Sequence, residues 1–399
     1  MTGVAAETLI WARETAALDA AEAAARLGFK DTSKRTAIER LQAYESGEVQ
    51  PSESVLKNMA KVYRRSLLSL YLERPPAKSD RGEDFRTLHD VEQHTQDGLV
   101  DAVIRDIKVR QSILKEAIEE DGDGQPLRFI GSMTTNDSTR KTALSIIEEL
   151  DFDLSEFRRK STPADAFRYL RRCAEAAGIF VLMVDNLGSH HSAVPLESFR
   201  GFALADPVAP FVAVNVHDAQ SAWSFTLLHE LAHLWIGETG VSGAPNENAV
   251  ERYCNAVAAD ILLHDTSLDQ LDIERSMSND QLRSAVSDFA DLYNVSGTMV
   301  AYALYRNSKI SFQQFSEIRK QFLEFFKAHK AKEKEKAKNK PGGPPYQIIK
   351  SHRLGSGLIT MVDRMLYSGI LTTTKSAKVL GVKPRTVETV LSTVRSAPA

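Results

Sequence analysis

The stretch Trp223-Ser224-Phe225-Thr226-Leu227-Leu228-His229-Glu230-Leu231-Ala232-His233-Leu234-Trp235 predicts the central helix of the fold. Apolar residues at helical spacing predict a buried face on it: Phe225, Leu228, Ala232 and Trp235. Asp218 lies where an N-cap is expected, and residues 219–237 contain neither proline nor glycine before Gly237. These signals predict one uninterrupted helix from about residue 219 to residue 236.

Within this helix, His229 and His233 are four residues apart and form an H-E-x-x-H pattern with Glu230 between them. Side chains four apart lie on the same face of an α-helix, so both imidazoles point the same way. Two neutral imidazoles at this spacing can occupy two corners of a tetrahedral zinc site, with the glutamate beside the bound water. A helix with two incidental histidines is the alternative, and the apolar context of the motif counts against it.

A third ligand is expected from the amphipathic helix predicted within residues 246–263. Glu251, near its start, is the preferred candidate. Three competitors remain open at this point: Glu247, Asp260 and His264. Asp260 follows Glu251 by two and a half helical turns, so it is expected on the opposite side of the helix. Cys254 is a possible soft ligand, although a lone buried cysteine is more often a small hydrophobic residue.

The two helices together resemble the ImmA/IrrE family of metallopeptidases. That family pairs an H-E-x-x-H helix with a later E-x-x-x-N-x-x-A-A-[DE]-x-L helix, and residues 251–262 read E-R-Y-C-N-A-V-A-A-D-I-L. The resemblance extends upstream through Phe199-Arg200-Gly201-Phe202 and a strand-like segment at 211–215, and downstream over roughly 278–311. His264 departs from the pattern, because many relatives carry a proline there, but this does not touch the proposed ligands.

The resemblance implies that His229, His233 and Glu251 bind zinc and that Glu230 is the catalytic base. Zinc is preferred over manganese or iron for two histidines and one glutamate. Three protein ligands leave one position for water, whose pKa falls to about 7 on catalytic zinc. Glu230 would accept a proton from that water and pass it to the leaving amine.

By the same resemblance, the expected function is a zinc-dependent endopeptidase that cleaves a specific intracellular partner protein. The expected substrate is a transcriptional repressor or an antitoxin-like regulator in a stress or mobile-element switch. The alternative is a DNA-binding regulator or antitoxin whose metal site is structural or sensory. A structural zinc site favours four protein ligands, so a three-ligand pattern beside a glutamate favours the enzyme.

Composition indicates a soluble globular protein of two or three domains, with 399 residues, 43% hydrophobic residues and a net charge of −3. Cys173 and Cys254 are its two cysteines and are expected in different helices, which favours a reducing cytoplasm over a disulfide framework. The N-terminus lacks a basic start and an apolar run, so no signal peptide is expected. No apolar stretch reaches the length of a membrane span, so no membrane association is predicted.

Residues 1–75 are predicted to form a small all-α domain. Residues 45–51 read E-S-G-E-V-Q-P and resemble the E-S-G-x-x-x-P turn of phage-repressor (Xre-type) helix-turn-helix domains. DNA contacts would come from Lys34, Arg35 and Arg40. Against this, eight residues separate Gly28 from Ala37, which is longer than the usual turn, and residues 1–80 carry 12 basic against 11 acidic residues. Protein docking or dimerisation is the competing interpretation, and a homodimer is left open.

The remaining chain is predicted to form three parts. Residues 81–326 form a zincin-like peptidase domain with preceding helices, residues 327–345 form a Lys-rich and Pro/Gly linker, and residues 346–399 form a basic helical module. Short apolar runs at 178–184, 201–205 and 211–215 predict a small sheet, so the fold class is α+β, dominated by helices. An edge strand of that sheet could hold an extended substrate. The C-terminal module has 8 basic and 2 acidic residues and a helix-turn-helix pattern with Lys383 and Arg385 at the start of its second helix. DNA binding and packing on the peptidase domain are both open for it.

Overall fold

The computed structural model describes residues 4–16, 18–75, 91–122, 124–185, 199–239, 241–242, 249–263, 268–273, 277–338 and 345–395. It confirms the predicted α+β class, because many helices surround one small sheet. The described chain divides into two compact units, one extending to Asp106 and the other beginning at Ile107. In the parts that are described, no helix combines the length and the apolar character that a membrane crossing requires.

The regular elements described in the first unit are all helices. Its helices are α1 (Ala6–Glu14), α2 (Ala20–Arg26), α3 (Ala37–Glu45), α4 (Glu53–Val62), a 3-10 helix (Leu68–Tyr71) and the first part of α5 (Val91–Asp121). Side chains of Asp19, Thr36 and Ser52 accept hydrogen bonds from backbone amides in the first turns of α2, α3 and α4, which fixes where these helices begin. Leu9, Leu41 and Met59 form part of a core that is closed to solvent.

The sheet of the second unit has four strands, β1 (Phe180–Val184), β2 (Gly201–Leu204), β3 (Phe211–Asn215) and β4 (Val241–Ser242). Their order is β1-β3-β2-β4, with β1 parallel to β3 and the other two pairings antiparallel. Every residue of β1, β2 and β3 is buried. A sheet covered in this way needs continuous apolar runs, and these runs are what the sequence shows at the three predicted strands.

After α5 and before its C-terminal module, the second unit has the helices α6 (Thr139–Glu149), α7 (Leu154–Arg158), α8 (Pro163–Ala176), α9 (Gln220–Trp235), α10 (Ala249–Leu262), α11 (Asn279–Tyr293), α12 (Gly297–Arg306) and α13 (Phe312–Lys338). Helix α9 packs against β2 and β3 and against α6, α8 and α10. From Trp223 to Trp235 only Phe225 is partly exposed. The prediction of one buried face was therefore too narrow, because the helix is enclosed on nearly all sides.

The N-cap prediction for α9 was off by one residue. The helix begins at Gln220, and the flanking residue Ala219 makes no side-chain cap. The Asp218 carboxylate instead accepts a hydrogen bond from the Ala219 amide at 2.8 Å. Burial raises the pKa of the Asp218 carboxyl, although Arg200 nearby opposes that shift.

The other end of α9 is anchored by a loop that follows α5. The amides of Gly131 and Met133 donate to the carbonyls of Leu234 and Trp235 at 3.0 and 2.9 Å. These two carbonyls lie in the last turn of the helix, where no intrahelical amide is available to them, so the loop supplies a hydrogen bond to each. Trp235 donates from Nε1 to the Ser145 hydroxyl at 3.0 Å and stacks on Phe129 with ring centroids 4.4 Å apart. These contacts fix the axial position of the helix that carries the H-E-x-x-H motif.

The C-terminal module contains α14 (Tyr346–Leu354), α15 (Ser356–Tyr367), α16 (Thr373–Leu380), a 3-10 helix (Pro384–Thr386) and α17 (Val387–Arg395). Helix α14 packs against β1, and α15 packs against α8. Packing of this module on the rest of the second unit, one of its two interpretations, is thus observed.

A buried ion pair on α8 connects the module to the sheet. Arg171 lies 2.9 Å from the Glu175 carboxylate and donates to three backbone carbonyls: Val181, His352 and Arg353. Glu175 accepts hydrogen bonds from the Ser356 hydroxyl and the Gly357 amide at 2.8 and 2.9 Å. One pair of side chains therefore links α8, β1, α14 and α15.

Candidate metal centre

Two neighbouring helices bring the predicted ligands together. His229 and His233 lie one turn apart on α9, and Glu251 lies in the first turn of α10, which packs along α9. Cys254 and Ala258 on α10 are small and fully buried, so the two helices can approach closely. His229, His233 and Glu251 are 3%, 1% and 7% exposed, which puts three polar side chains inside the core at one point.

The ligand atoms converge. The Nε2 atoms of His229 and His233 are 3.2 Å apart, and each lies 3.2 Å from one carboxylate oxygen of Glu251. Atoms at the corners of a tetrahedron with metal bonds of about 2.0–2.1 Å are separated by about 3.3–3.4 Å. The residues present therefore fit a zinc-sized ion with little adjustment, and their two nitrogens and one carboxylate suit zinc chemistry.

The groups around Glu251 favour the ionised form of its carboxyl group, which is the form that binds a metal. Burial acts to raise the pKa of Glu251, but hydrogen bonds and charge attraction from His229 and His233 outweigh it and lower the pKa to about 2. Glu251 is therefore ionised at neutral pH, as a metal ligand must be.

Asn255 orients the first imidazole. Its Oδ1 lies 3.0 Å from Nδ1 of His229, and with Nε2 directed at the cluster, the Nδ1–H group donates to that amide oxygen. Such partners fix the tautomer and ring orientation of ligating histidines. Nδ1 of His233 has no hydrogen-bond partner among the described residues. The sequence reasoning gave Asn255 no role, although its position four residues after Glu251 puts both on one face of α10.

Glu230 is fully buried and lies against the backbone of β2. A Cβ atom built on Gly201 would be 2.7 Å from Glu230 Oε1, 3.0 Å from its Cγ and 2.7 Å from Cγ2 of Thr226. A side chain at position 201 would therefore overlap the carboxyl group, so the glycine defines the space that Glu230 occupies. Sequence reasoning quoted Gly201 within the family resemblance but did not connect it with Glu230.

Of the three competing ligands, only Asp260 lies among the described residues, and it is not part of this cluster. Asp260 is partly exposed on α10 and is absent from the group of converging ligand atoms found among the described residues. Glu247 and His264 lie outside the described residues. Burial, followed by the charges of Glu251 and Glu230, raises the pKa of the Cys254 thiol, so this residue stays protonated and acts as a small hydrophobic side chain.

Two of the three predicted DNA contacts of the first unit, Arg35 and Arg40, have local partners. Arg35 forms an ion pair with Glu48, and Arg40 lies over the Phe29 ring at 4.6 Å. Lys34 is exposed in the segment before α3. Glu39 is committed to capping α3, because its carboxylate accepts from the Thr36 amide at 2.7 Å. In the C-terminal module, Lys383 and Arg385 are exposed at the start of the 3-10 helix.

Comparison with known proteins singles out the segment that builds this centre. Residues 174–305 match the family model Peptidase M78, described as the IrrE N-terminal-like domain, and this range includes His229, Glu230, His233 and Glu251. Searches of curated proteins and of solved structures gave no match to the chain. The match supports assignment of this segment to the ImmA/IrrE family and, with it, a metallopeptidase-type function.

Proposed function

We propose that the chain is a zinc-dependent endopeptidase in which His229, His233 and Glu251 hold the metal. The carrying observation is the convergence of their ligand atoms at 3.2 Å within the segment that matches a peptidase family. When bound, zinc supplies a Lewis acid that polarises a carbonyl and lowers the pKa of its water to about 7.

Glu230 is the proposed general base. Its carboxylate accepts a proton from the water that attacks the peptide carbonyl carbon, and the C–N bond then breaks. The same proton passes from Glu230 to the leaving nitrogen, which departs as an amine, and Glu230 returns to its ionised form. The backbone of β2 at Gly201 holds this carboxylate in position, because it leaves room for Glu230 and for no additional atom.

The proposed substrate is a specific partner protein in the cytoplasm, a transcriptional repressor or an antitoxin-like regulator of a stress or mobile-element response. The resemblance to the ImmA/IrrE family supports this class of substrate. The low exposure of the three ligand side chains supports restricted access, as an intracellular protease requires.

The metal site and the catalytic mechanism are tested by two different measurements, metal content and cleavage. Elemental analysis of protein purified without added metal should give one zinc per chain, with a marked loss in Glu251→Ala. Asp260→Ala, on the same helix and partly exposed, is the matched control and should keep the metal. Circular dichroism of each variant separates loss of metal from loss of fold.

Glu230→Gln should retain zinc and abolish cleavage, because it removes the proton acceptor while preserving shape. New protein N-termini in cell extract treated with wild type, but not with Glu230→Gln, would identify the partner. Absence of zinc in wild type even after titration would reject the metal site. Equal cleavage by Glu230→Gln and wild type would reject the mechanism.

A further inference from the structure

The C-terminal module contains a helix-turn-helix of the compact kind. Helix α16 ends at Gly381, whose φ of +58° and ψ of +44° are left-handed, and the Val382 amide donates to the Ala377 carbonyl at 2.9 Å. Three residues, 381–383, separate α16 from the 3-10 helix that leads into α17. A turn of three or four residues containing glycine is typical of DNA-binding helix-turn-helix motifs. In the first unit, ten residues (27–36) separate α2 from α3.

Packing leaves one face of this motif to solvent. Helix α15 contacts both α16 and α17, and the apolar side chains at their junction are buried: Leu358, Val362, Val379, Leu380, Val390 and Leu391. The outward side of α16 and of the 3-10 helix carries Lys375, Lys383 and Arg385, all exposed. We name these three residues the basic face.

The three cations of the basic face have no ion-pair partner in the part of the chain that the structure describes. Across the described residues, Lys375, Lys383 and Arg385 form no ion pair and no side-chain hydrogen bond. Other cations of the module are paired: Arg353 with Asp185, Arg364 with Asp121, and Arg395 with Asp363 and Glu388. The module's two acids are thus both engaged by Arg395, which leaves Lys375, Lys383 and Arg385 exposed without an acidic partner from the module.

A further cation lies beside the turn. A Cβ atom on Gly381 would collide with the guanidinium of Arg110, which α5 contributes. The module is attached to α8 through the Arg171–Glu175 pair, which contacts residues 352–357 and not the basic face. Attachment to the peptidase region therefore leaves Lys375, Lys383 and Arg385 accessible.

We propose that the basic face binds duplex DNA. In helix-turn-helix proteins, the start of the second helix enters the major groove and the first helix crosses the phosphate backbone. Arg385 lies where such proteins read base edges, and an arginine can bind guanine through two hydrogen bonds. Lys375 and Lys383 supply contacts to phosphates, which give binding its dependence on salt. This activity is additional to proteolysis and does not depend on the metal site.

Fluorescence anisotropy of the full chain with labelled duplex DNA tests the proposal. The double variant Lys383→Gln/Arg385→Gln should weaken binding about 10- to 100-fold and reduce the slope of log affinity against log salt by about 1–2. Lys34→Gln/Arg35→Gln removes two charges from the other predicted DNA surface and is the matched control, expected within about twofold of wild type. Unchanged thermal unfolding and zinc content would show that both variants fold.

Three outcomes would overturn the proposal. The first is failure of the full chain to bind duplex DNA at about 50 mM salt. The Lys34/Arg35 double variant could lose as much affinity as the Lys383/Arg385 variant. Polyglutamate could compete as well as unlabelled DNA of equal charge, which would identify an acidic protein surface as the partner. Because Glu230→Gln is expected to bind DNA like wild type, failure of the peptidase proposal and failure of this one are distinguishable.

Discussion

Replacing Gly201 by alanine tests how β2 positions the proposed base. The added methyl carbon would lie 2.7 Å from Glu230 Oε1 and 2.7 Å from Thr226 Cγ2. Carbon atoms in favourable contact are about 3.5–4.0 Å apart, so the carboxylate, the strand or the helix must move by about 0.8–1.3 Å. Displacements of this size at a reacting group can reduce rates about 100-fold.

We therefore expect Gly201→Ala to lower kcat/KM for the partner protein by about 10- to 100-fold. Zinc content should stay at one per chain, because the three atoms nearest to the added methyl group belong to Glu230 and Thr226 and not to a proposed ligand. Overpacking should also lower the free energy of unfolding by about 1–3 kcal/mol, measurable by urea denaturation. Cleavage assays, elemental analysis and denaturation on one preparation separate these effects.

A double variant identifies which contact matters. Thr226→Ser removes Cγ2 and with it one of the two 2.7 Å overlaps, while the overlap with Glu230 remains. Gly201→Ala/Thr226→Ser should therefore recover stability but not activity. Full activity in Gly201→Ala with zinc bound would refute the positioning role. Recovery of activity in the double variant would show that helix displacement, rather than Glu230, caused the loss.

Four further outcomes are expected. Asn255→Ala should weaken zinc binding about 10- to 100-fold in a chelator titration, whereas Asn255→Asp, which keeps the acceptor for His229, should not. Arg171→Met should lower the free energy of unfolding in urea by about 3–5 kcal/mol, because it leaves Glu175 in a buried site without its cation. The control Arg168→Gln, at an exposed position, should lower it by less than about 0.5 kcal/mol. Cys254→Ser should retain one zinc per chain, since the converging ligand atoms come from three other residues; a loss of zinc would make the thiol a ligand. In the metal-free chain the Glu251 carboxyl, with a pKa of about 2, should stay ionised from about pH 7 to about pH 4, and an NMR titration of this carboxyl near pH 4 would contradict its hydrogen bonds to the two histidines.

What the sequence could predict is local. His229 and His233 share a helix face because they are four residues apart. Glu251 was preferred over Asp260, because Asp260 follows it by two and a half turns and is expected on the opposite side of the helix. The structure brings these three residues together as expected. The strand at 211–215 was predicted with its observed bounds, because a fully buried strand has a continuous apolar run.

What it could not predict depends on contacts between distant segments. Gly201 meets Glu230 only because β2 packs on α9, and no spacing rule relates these two positions. From the sequence, Arg171 would be placed on the exposed face of an amphipathic helix. In the structure it is buried and donates to backbone carbonyls of the C-terminal module. The cap at Asp218 failed for a different reason, since a shift of one residue decides which amide a short side chain can reach.

The docked module also bears on which sheet edge can bind a substrate. The two edges of the sheet are β1 and β4. All of β1 is buried, α14 packs against it, and its Val181 carbonyl already accepts from Arg171. Adding an extended peptide requires unpaired backbone groups that solvent can reach. The predicted pairing of substrate with an edge strand is therefore expected at β4, which adjoins the strand that carries Gly201, the residue against Glu230. Proline at Val241 or Ser242, which removes a backbone donor, should raise KM for the partner protein without changing zinc content. An unchanged KM in both variants would contradict substrate pairing at this edge.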